Sequence, residues 1–353
     1  MKKIYLIMLI FVISLGLIAC EKEETPVPTD GIPEVNTKLY RTDLRDDAPQ
    51  VVLDELQAGF HFFWELANDD LDSTGYGLIP DRFNTFTGAP GNVASIASVG
   101  YGLSTIPLGI EAGWITREEG EERAYNTLLT LQNMQRTHGF WFHFVDMATG
   151  LRAWNSEVSL IDTAILINGV LVVSRYFGGL TEQLGYQLYE EVEWNWYFDE
   201  NTNMFYMGYR PESGFEGYWD MYGEQLMVYI LAAGSPDYAV GKGAYNLMKL
   251  LSSKSGSTAD YGSFYMTWTG SLFTYQYSHS WFNFQLYTDQ SGYNWFTNSQ
   301  NAVDAAIAYA KTLTSTYAGI HENSWGMSAS DGPYGYVGPY ANGPSAGNAH
   351  QVD

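Results

Sequence analysis

At 353 residues the chain has enough length for one large domain with a substantial core. Its 40 acidic residues against 17 basic ones give a net charge of −23, which argues against nucleic acid or an anionic lipid surface as partner and is indifferent to a neutral ligand. Aromatic residues make up 16% of the chain; core packing absorbs most of them, but the excess of Tyr and Trp over Phe favours a wet, aromatic-lined cleft.

The first segment reads as targeting. Lys2 and Lys3 precede an apolar run from Ile4 to Ile18 that fits a secretory signal and is short for a transmembrane helix. It ends Leu17-Ile18-Ala19-Cys20, which resembles a bacterial lipobox with Cys20 as the lipidated residue. Cys20 is the sole cysteine, so no disulfide is expected. Glu21-Lys22-Glu23-Glu24 resembles the acidic export tag of Bacteroidota lipoproteins. The expected organisation is a leader over 1–19, a Pro- and Gly-containing tether over 20–48 and a domain over 49–353. The expected location is the outer membrane, periplasmic or surface-facing, with a lipid anchor as the membrane contact.

Helical patterns then come in pairs. Val51 to Ala67 and Val93 to about Glu111 form the first pair. Thr116 and Glu119 make a capping-box signature for a helix to about Arg136, with Ala124, Leu128 and Leu131 on one face. Ser156 to about Phe177 is apolar on all sides and should be buried; its partner from Thr181 to about Trp196 is amphipathic. Tyr222–Ala233, Val240–Leu251 and Ser299–Tyr317 follow. Alternating buried and amphipathic helices suggest concentric rings, an all-α (α/α) toroid, with a plain bundle as the alternative. Residues 139–145 read as a short hairpin arm turning at Ala148-Thr149-Gly150, placed at a rim.

Four acidic loci stand out. Asp162 lies inside the apolar run of its helix, where an unpaired carboxylate is costly. Glu157, just before it, has the plainer reading of a helix N-terminal charge. Glu224 precedes Leu226-Met227-Val228-Tyr229-Ile230-Leu231; an apolar wall of that kind raises a carboxyl pKa, as a general acid near neutral pH requires, while the plainer reading, favoured for this locus alone, is a helix N-terminal glutamate. Asp331 sits among small residues in a run from Trp325 to Tyr336, whose Trp325, Tyr334 and Tyr336 offer faces on which a sugar ring can stack; the plainer reading is an Asx turn. Asp81-Arg82 is the fourth. Trp141 and His143 on the arm, Trp219 and Tyr222 before Glu224, and His279 with Trp281 are further candidate ligand contacts, with a hydrogen-bonded structural histidine as the plain alternative for His279. Cysteine nucleophiles, His-rich metal spacing, phosphate loops and Gly-x-Ser-x-Gly elbows are missing from the sequence, so neither cofactor nor metal is expected.

The ordered segments Gly77–Arg82, Ala94–Gly100, Gly113–Glu119, Gly139–Asp146, Ser156–Ala164, Tyr222–Glu224, Gly234–Pro236, Gln276–Trp281 and Trp325–Pro333 resemble the glycoamylase-like (glucoamylase-like) proteins of Bacteroidota, grouped as glycoside hydrolase family 144, which includes endo-β-1,2-glucanases. The resemblance spans about Val52 to the end. It implies an (α/α)6 barrel with a rim cleft, and hydrolysis of a glucan, foremost β-1,2-glucan, with inversion. By family analogy Glu224 is the general acid; Asp331 is the first choice for the base, followed by Glu157 and Asp162. Asp81, Arg82, Trp141, His143, Trp219, Tyr222, His279, Trp281, Trp325 and Tyr336 are the implied substrate contacts. Family members continue past the Asp331 segment with further helix, so a barrel lacking its last helices is expected. The chain is expected to act as a monomer. Two alternatives remain open: a non-catalytic surface glycan-binding lipoprotein, and a polysaccharide lyase with Tyr277 or His279 as base.

Overall fold

The structure, a computed structural model, describes residues 48–332 and 335–347. The leader 1–19, Cys20, nearly all of the tether and Tyr334 of the aromatic run lie outside the described residues. The chain divides into units 1–53 and 54–353, and the elements that build the candidate site belong to the second.

Nine α-helices occur among the described residues: α1 Gln50–Glu65, α2 Ile96–Glu111, α3 Arg117–Asn133, α4 Leu160–Phe177, α5 Gly179–Glu190, α6 Leu226–Gly234, α7 Gly243–Leu251, α8 Phe273–Gln276 and α9 Trp295–Leu313. Helix α3 starts as its sequence dictates. Thr116 Oγ1 accepts from the Glu119 amide, and the Glu119 carboxylate accepts from the Thr116 amide, so two orphan donors are satisfied at once.

Helix α4 is the central element. Leu160, Ala164, Leu166, Ile167, Val170 and Val173 are wholly buried. It is long and apolar enough to cross a membrane by composition, but about 67% of it is buried inside the protein, as befits a core helix. It packs most extensively on α2, and glycine sets the spacing. A Cβ on Gly169 would lie 2.0 Å from the Gly100 carbonyl oxygen, and one on Gly100 would lie 2.6 Å from Leu166 Cα. The two backbones are in direct contact there.

Short strands modify the helical expectation in three places. Residues 93–95 are extended and pair antiparallel with Phe144–Asp146, so α2 begins at Ile96 and not at Val93. Val158–Ser159 likewise pairs with Gly208–Tyr209, and α4 begins at Leu160 and not at Ser156. In both cases the β-branched residue before the helix joins a strand ladder, and a serine then occupies the N-cap. The third is the arm. Phe140–Trp141 pairs with Arg136–Thr137, while the rest of the arm is held to its return strand by bridges at Phe142–Val158 and Val145–Arg152. The return strand carries surplus residues between those bridges, and they loop out at Trp154–Asn155. The long hairpin Met204–Arg210 with Gly214–Tyr218 was not expected from the sequence at all.

The backbone contact gives a stability prediction. Gly169→Ala should destabilise the protein by at least about 2 kcal/mol, because a methyl group meets backbone that cannot yield. Chemical denaturation checks it, with Gly59→Ala as the control at a site where a Cβ meets nothing.

Candidate active site

The N-terminal ends of three helices converge on one cleft. Helix α2 contributes Ala97, Ser98 and Tyr101; α4 contributes Ile161, Asp162 and Ile165; Glu224 stands two residues before α6. The larger lobe, about 850 Å³, is completed by Asp81, Arg82, His143, Phe144, Trp154, Tyr277, Asp331 and Tyr336. A second lobe of about 420 Å³ lies among Met207, Tyr218, Trp219, Trp268 and Thr269. Glu224, Phe273, Ala329 and Tyr336 line both, so the carboxyl of Glu224 sits where the two lobes meet.

Glu224 is the most perturbed carboxyl in the cleft. Burial pushes its pKa up to about 8, the nearby Asp162 carboxylate adds to the rise, and His143 opposes it. Asp162 is held in the first turn of α4. Its amide donates to Ser159 Oγ (3.1 Å), and its Oδ2 accepts from the same hydroxyl (2.5 Å). Its other oxygen lies 3.5 Å from His143 Nε2.

His143 pairs through Nδ1 with Glu157 Oε1 at 2.9 Å. Burial opposes charge on its ring, but Asp162 and Glu157 outweigh that and raise its pKa. Glu157 is held below the usual carboxylate range, first by its bond to His143 and also by Arg210, whose Nη2 is 3.2 Å from Oε2. Glu157 therefore stands behind His143 with both oxygens engaged and does not line the cleft. His143, Glu157 and Asp162 place ligand-type atoms within 4.8 Å of one another. Arg210 already supplies a cation to this cluster, and His143 bridges the two carboxylates, so the arrangement reads as a hydrogen-bonded network.

On the opposite wall, Arg82 Nη1 lies 3.2 Å from each oxygen of Asp331, and Arg82 Nε donates to Asp81 at 2.7 Å. Asp331 is exposed, on a short hairpin of Ser330–Gly332 with Gly335–Val337. Tyr101 and Tyr277 meet edge-on at 5.4 Å in the larger lobe. Burial raises both phenols, Tyr277 to about 12.

Several expected contacts lie elsewhere. Trp141 is fully buried and donates from Nε1 to the Leu131 carbonyl, so it is a core residue. Tyr222 is 1% exposed and stacks on Trp295 at 4.5 Å, forming the back of the second lobe. His279 bonds Ser299 and lines neither lobe. Trp281 donates to Ser104 Oγ and packs on Tyr101, one layer behind the cleft. Trp325 also lines neither lobe. Asp81, Arg82, His143, Asp162, Trp219, Glu224, Asp331 and Tyr336 do line the cleft, and Tyr222 lines its second lobe from behind. Sequence reasoning missed Tyr101, Trp154, Tyr218, Trp268 and Phe273; a tryptophan beside an already suspect Ser156-Glu157 segment was the one available signal, for Trp154.

The chain thus presents a helical fold with a carboxyl-lined, aromatic-walled cleft at converging helix ends. Residues 216–351 match the Glycoamylase family model, described as "Putative glucoamylase". The chain is 26% identical over 324 residues to an exo β-1,2-glucooligosaccharide sophorohydrolase (non-reducing end) of Parabacteroides distasonis, covering 81% of this chain and 43% of that protein. It thus spans less than half the length of that curated relative. Among solved structures, a "putative glucoamylase" from Bacteroides caccae superposes with a TM-score of 0.69 at 27% identity, covering 82% of this chain and 74% of the other. A β-1,2-glucanase from Parabacteroides distasonis superposes with a TM-score of 0.69 at 25% identity, covering 82% and 45%. Over residues 216–351 the chain is thus similar to the glycoamylase-like family, and its helices share the α/α toroid class of these neighbours.

The raised pKa of Glu224 has a consequence for stability. The unfolded chain releases this proton near the ordinary glutamate pKa, whereas the folded protein keeps it until about pH 8. Folding stability therefore falls as pH rises through that interval and levels off above it. Glu224→Gln removes this dependence. The melting temperature of the variant relative to wild type should rise between pH 5 and pH 8 and then stay constant, as thermal scans across that range will show.

Proposed function

We propose that the protein is a glycoside hydrolase acting on β-1,2-glucan by an inverting acid/base mechanism, with Glu224 as the general acid. The observation that carries this reading is the position and protonation of Glu224. It sits at the junction of the two lobes and retains its proton up to about pH 8. A carboxyl in that state can donate to a glycosidic oxygen at neutral pH. The choice of glucan rests on the relatives named above.

Asp331 serves as the base. Its carboxylate is held by the Arg82 guanidinium and lines the larger lobe, where it can take a proton from the attacking water while Glu224 protonates the leaving oxygen. Asp162 acts on the acid and not on the water: its negative charge helps to keep Glu224 protonated. Glu157 positions His143 and is too strongly engaged to act as a base. The Asp331 hairpin is tied back by Arg82. Anchoring through Cys20 at the outer membrane and action as a monomer belong to the same proposal. The lyase alternative loses support, since Tyr277 holds its proton to about pH 12 and His279 lies outside the cleft.

Glu224→Gln should lower kcat on β-1,2-glucan by about 10²- to 10⁴-fold while the glucan still binds. The wild-type kcat/KM profile should fall on its alkaline side near pH 8, because activity requires the protonated form. Asp162→Asn should move that fall to lower pH, whereas Asp331→Asn should depress the whole profile without moving it. Reducing-sugar release across pH, with a panel of α- and β-glucans, tests these outcomes. Unchanged turnover in the Gln variant removes Glu224 from the mechanism.

A further inference from the structure

Trp154 is anomalous on three counts. It is a large apolar side chain left 63% exposed, it has a left-handed backbone (φ 51°), and its neighbour Asn155 has the same (φ 51°). Consecutive non-glycine residues in that region are strained, and burial of the indole does not offset the cost. The surrounding structure enforces the geometry. The Asn155 carbonyl accepts from Arg152 Nη2 (2.9 Å) and from Arg210 Nη1 (2.5 Å), and Arg152 Nε donates to the Ser156 carbonyl (2.7 Å). Two guanidinium groups thus clamp the surplus residues that loop out of the arm.

The clamp displays the indole into the larger lobe. Trp154 packs on Phe144, with ring centroids 5.1 Å apart and planes tilted by 56°. Phe144 stacks in turn on His143 at 3.7 Å and 18°. His143 leads to Asp162 and so to Glu224. Trp154 therefore stands at the far end of a row of side chains that begins at the acid.

We infer that Trp154 is a preorganised stacking platform for a glucosyl unit remote from the bond being cleaved, forming an outer subsite of the larger lobe. This rests on the reading of the cleft as a glucan site. Arg152 and Arg210 keep the flat face in place before the sugar arrives, so little ordering remains to be done on binding. Arg210 also holds Glu157, so one guanidinium secures both the platform and the network behind the acid.

The test uses the full chain carrying Glu224→Gln, so that ligands persist, and follows binding of β-1,2-glucooligosaccharides from the disaccharide upward by calorimetry. Trp154→Ala should weaken the longer oligosaccharides about tenfold and leave the disaccharide unaffected. Trp154→Phe, which keeps a flat ring, should restore most of the affinity, while Trp154→Leu, apolar but not flat, should not; the Leu variant also serves if the Ala variant does not fold. Equal binding of long oligosaccharides by wild type and the Ala or Leu variant overturns the inference. So does equal weakening of short and long ones, or no binding by the parent protein. The hydrolase reading is judged separately: length-dependent binding through Trp154 with no product from the Glu224 protein sinks hydrolysis and leaves the subsite standing.

Discussion

The contact between Gly100 and Gly169 is the constraint on which the site depends. Helices α2 and α4 touch backbone to backbone there, and no larger residue fits. That closeness brings their N-terminal ends together, so Ser98 and Tyr101 from one and Asp162 from the other face the same cleft. Ordinary side chains at the crossing would separate the helices and widen the floor that Glu224 occupies. The packing of the core and the placement of the titrating groups are therefore one problem.

The electrostatics follow from that floor. Asp162 and Glu224 are carboxyls in one confined space, and the protein treats them differently. Asp162 has a serine cap, a helix start and a histidine. Glu224 is faced by the apolar opening of α6 and by Asp162 itself, so its proton is retained. Burial beside a second carboxyl is one way a protein keeps a carboxyl protonated at neutral pH.

Sequence reasoning reached the parts of this that depend on local pattern. The Thr116–Glu119 box, the all-round apolar α4 and the odd acid within it, and the apolar wall after Glu224 are periodicities or spacings that survive into the fold. What failed depends on long-range pairing. Trp141 and Trp154 both flank the same arm; strand pairing buries the first, and a bulge exposes the second, and neither outcome is written in the neighbouring residues. The His143–Glu157–Arg210 chain joins three segments of the fold, and Arg210 comes from a hairpin whose strands lacked a clear alternation. The start of α2 was misplaced by three residues because residues 93–95 find a partner strand some fifty positions away.

Arg82 has one more implication. Besides its neighbour Asp81 it holds Asp331, 249 residues away, so an early segment and a late one meet through a guanidinium that is half in water. An exposed ion pair is screened by mobile ions, which act over a Debye length of about 8 Å at physiological ionic strength. Neither a disulfide nor a buried apolar contact has this property. The wall carrying Asp331 is thus fastened partly by the bonds of Ser328 and Ala329 to Ser271 and partly by an ion pair whose strength the surrounding electrolyte sets, a dependence that the glycine-packed floor does not have.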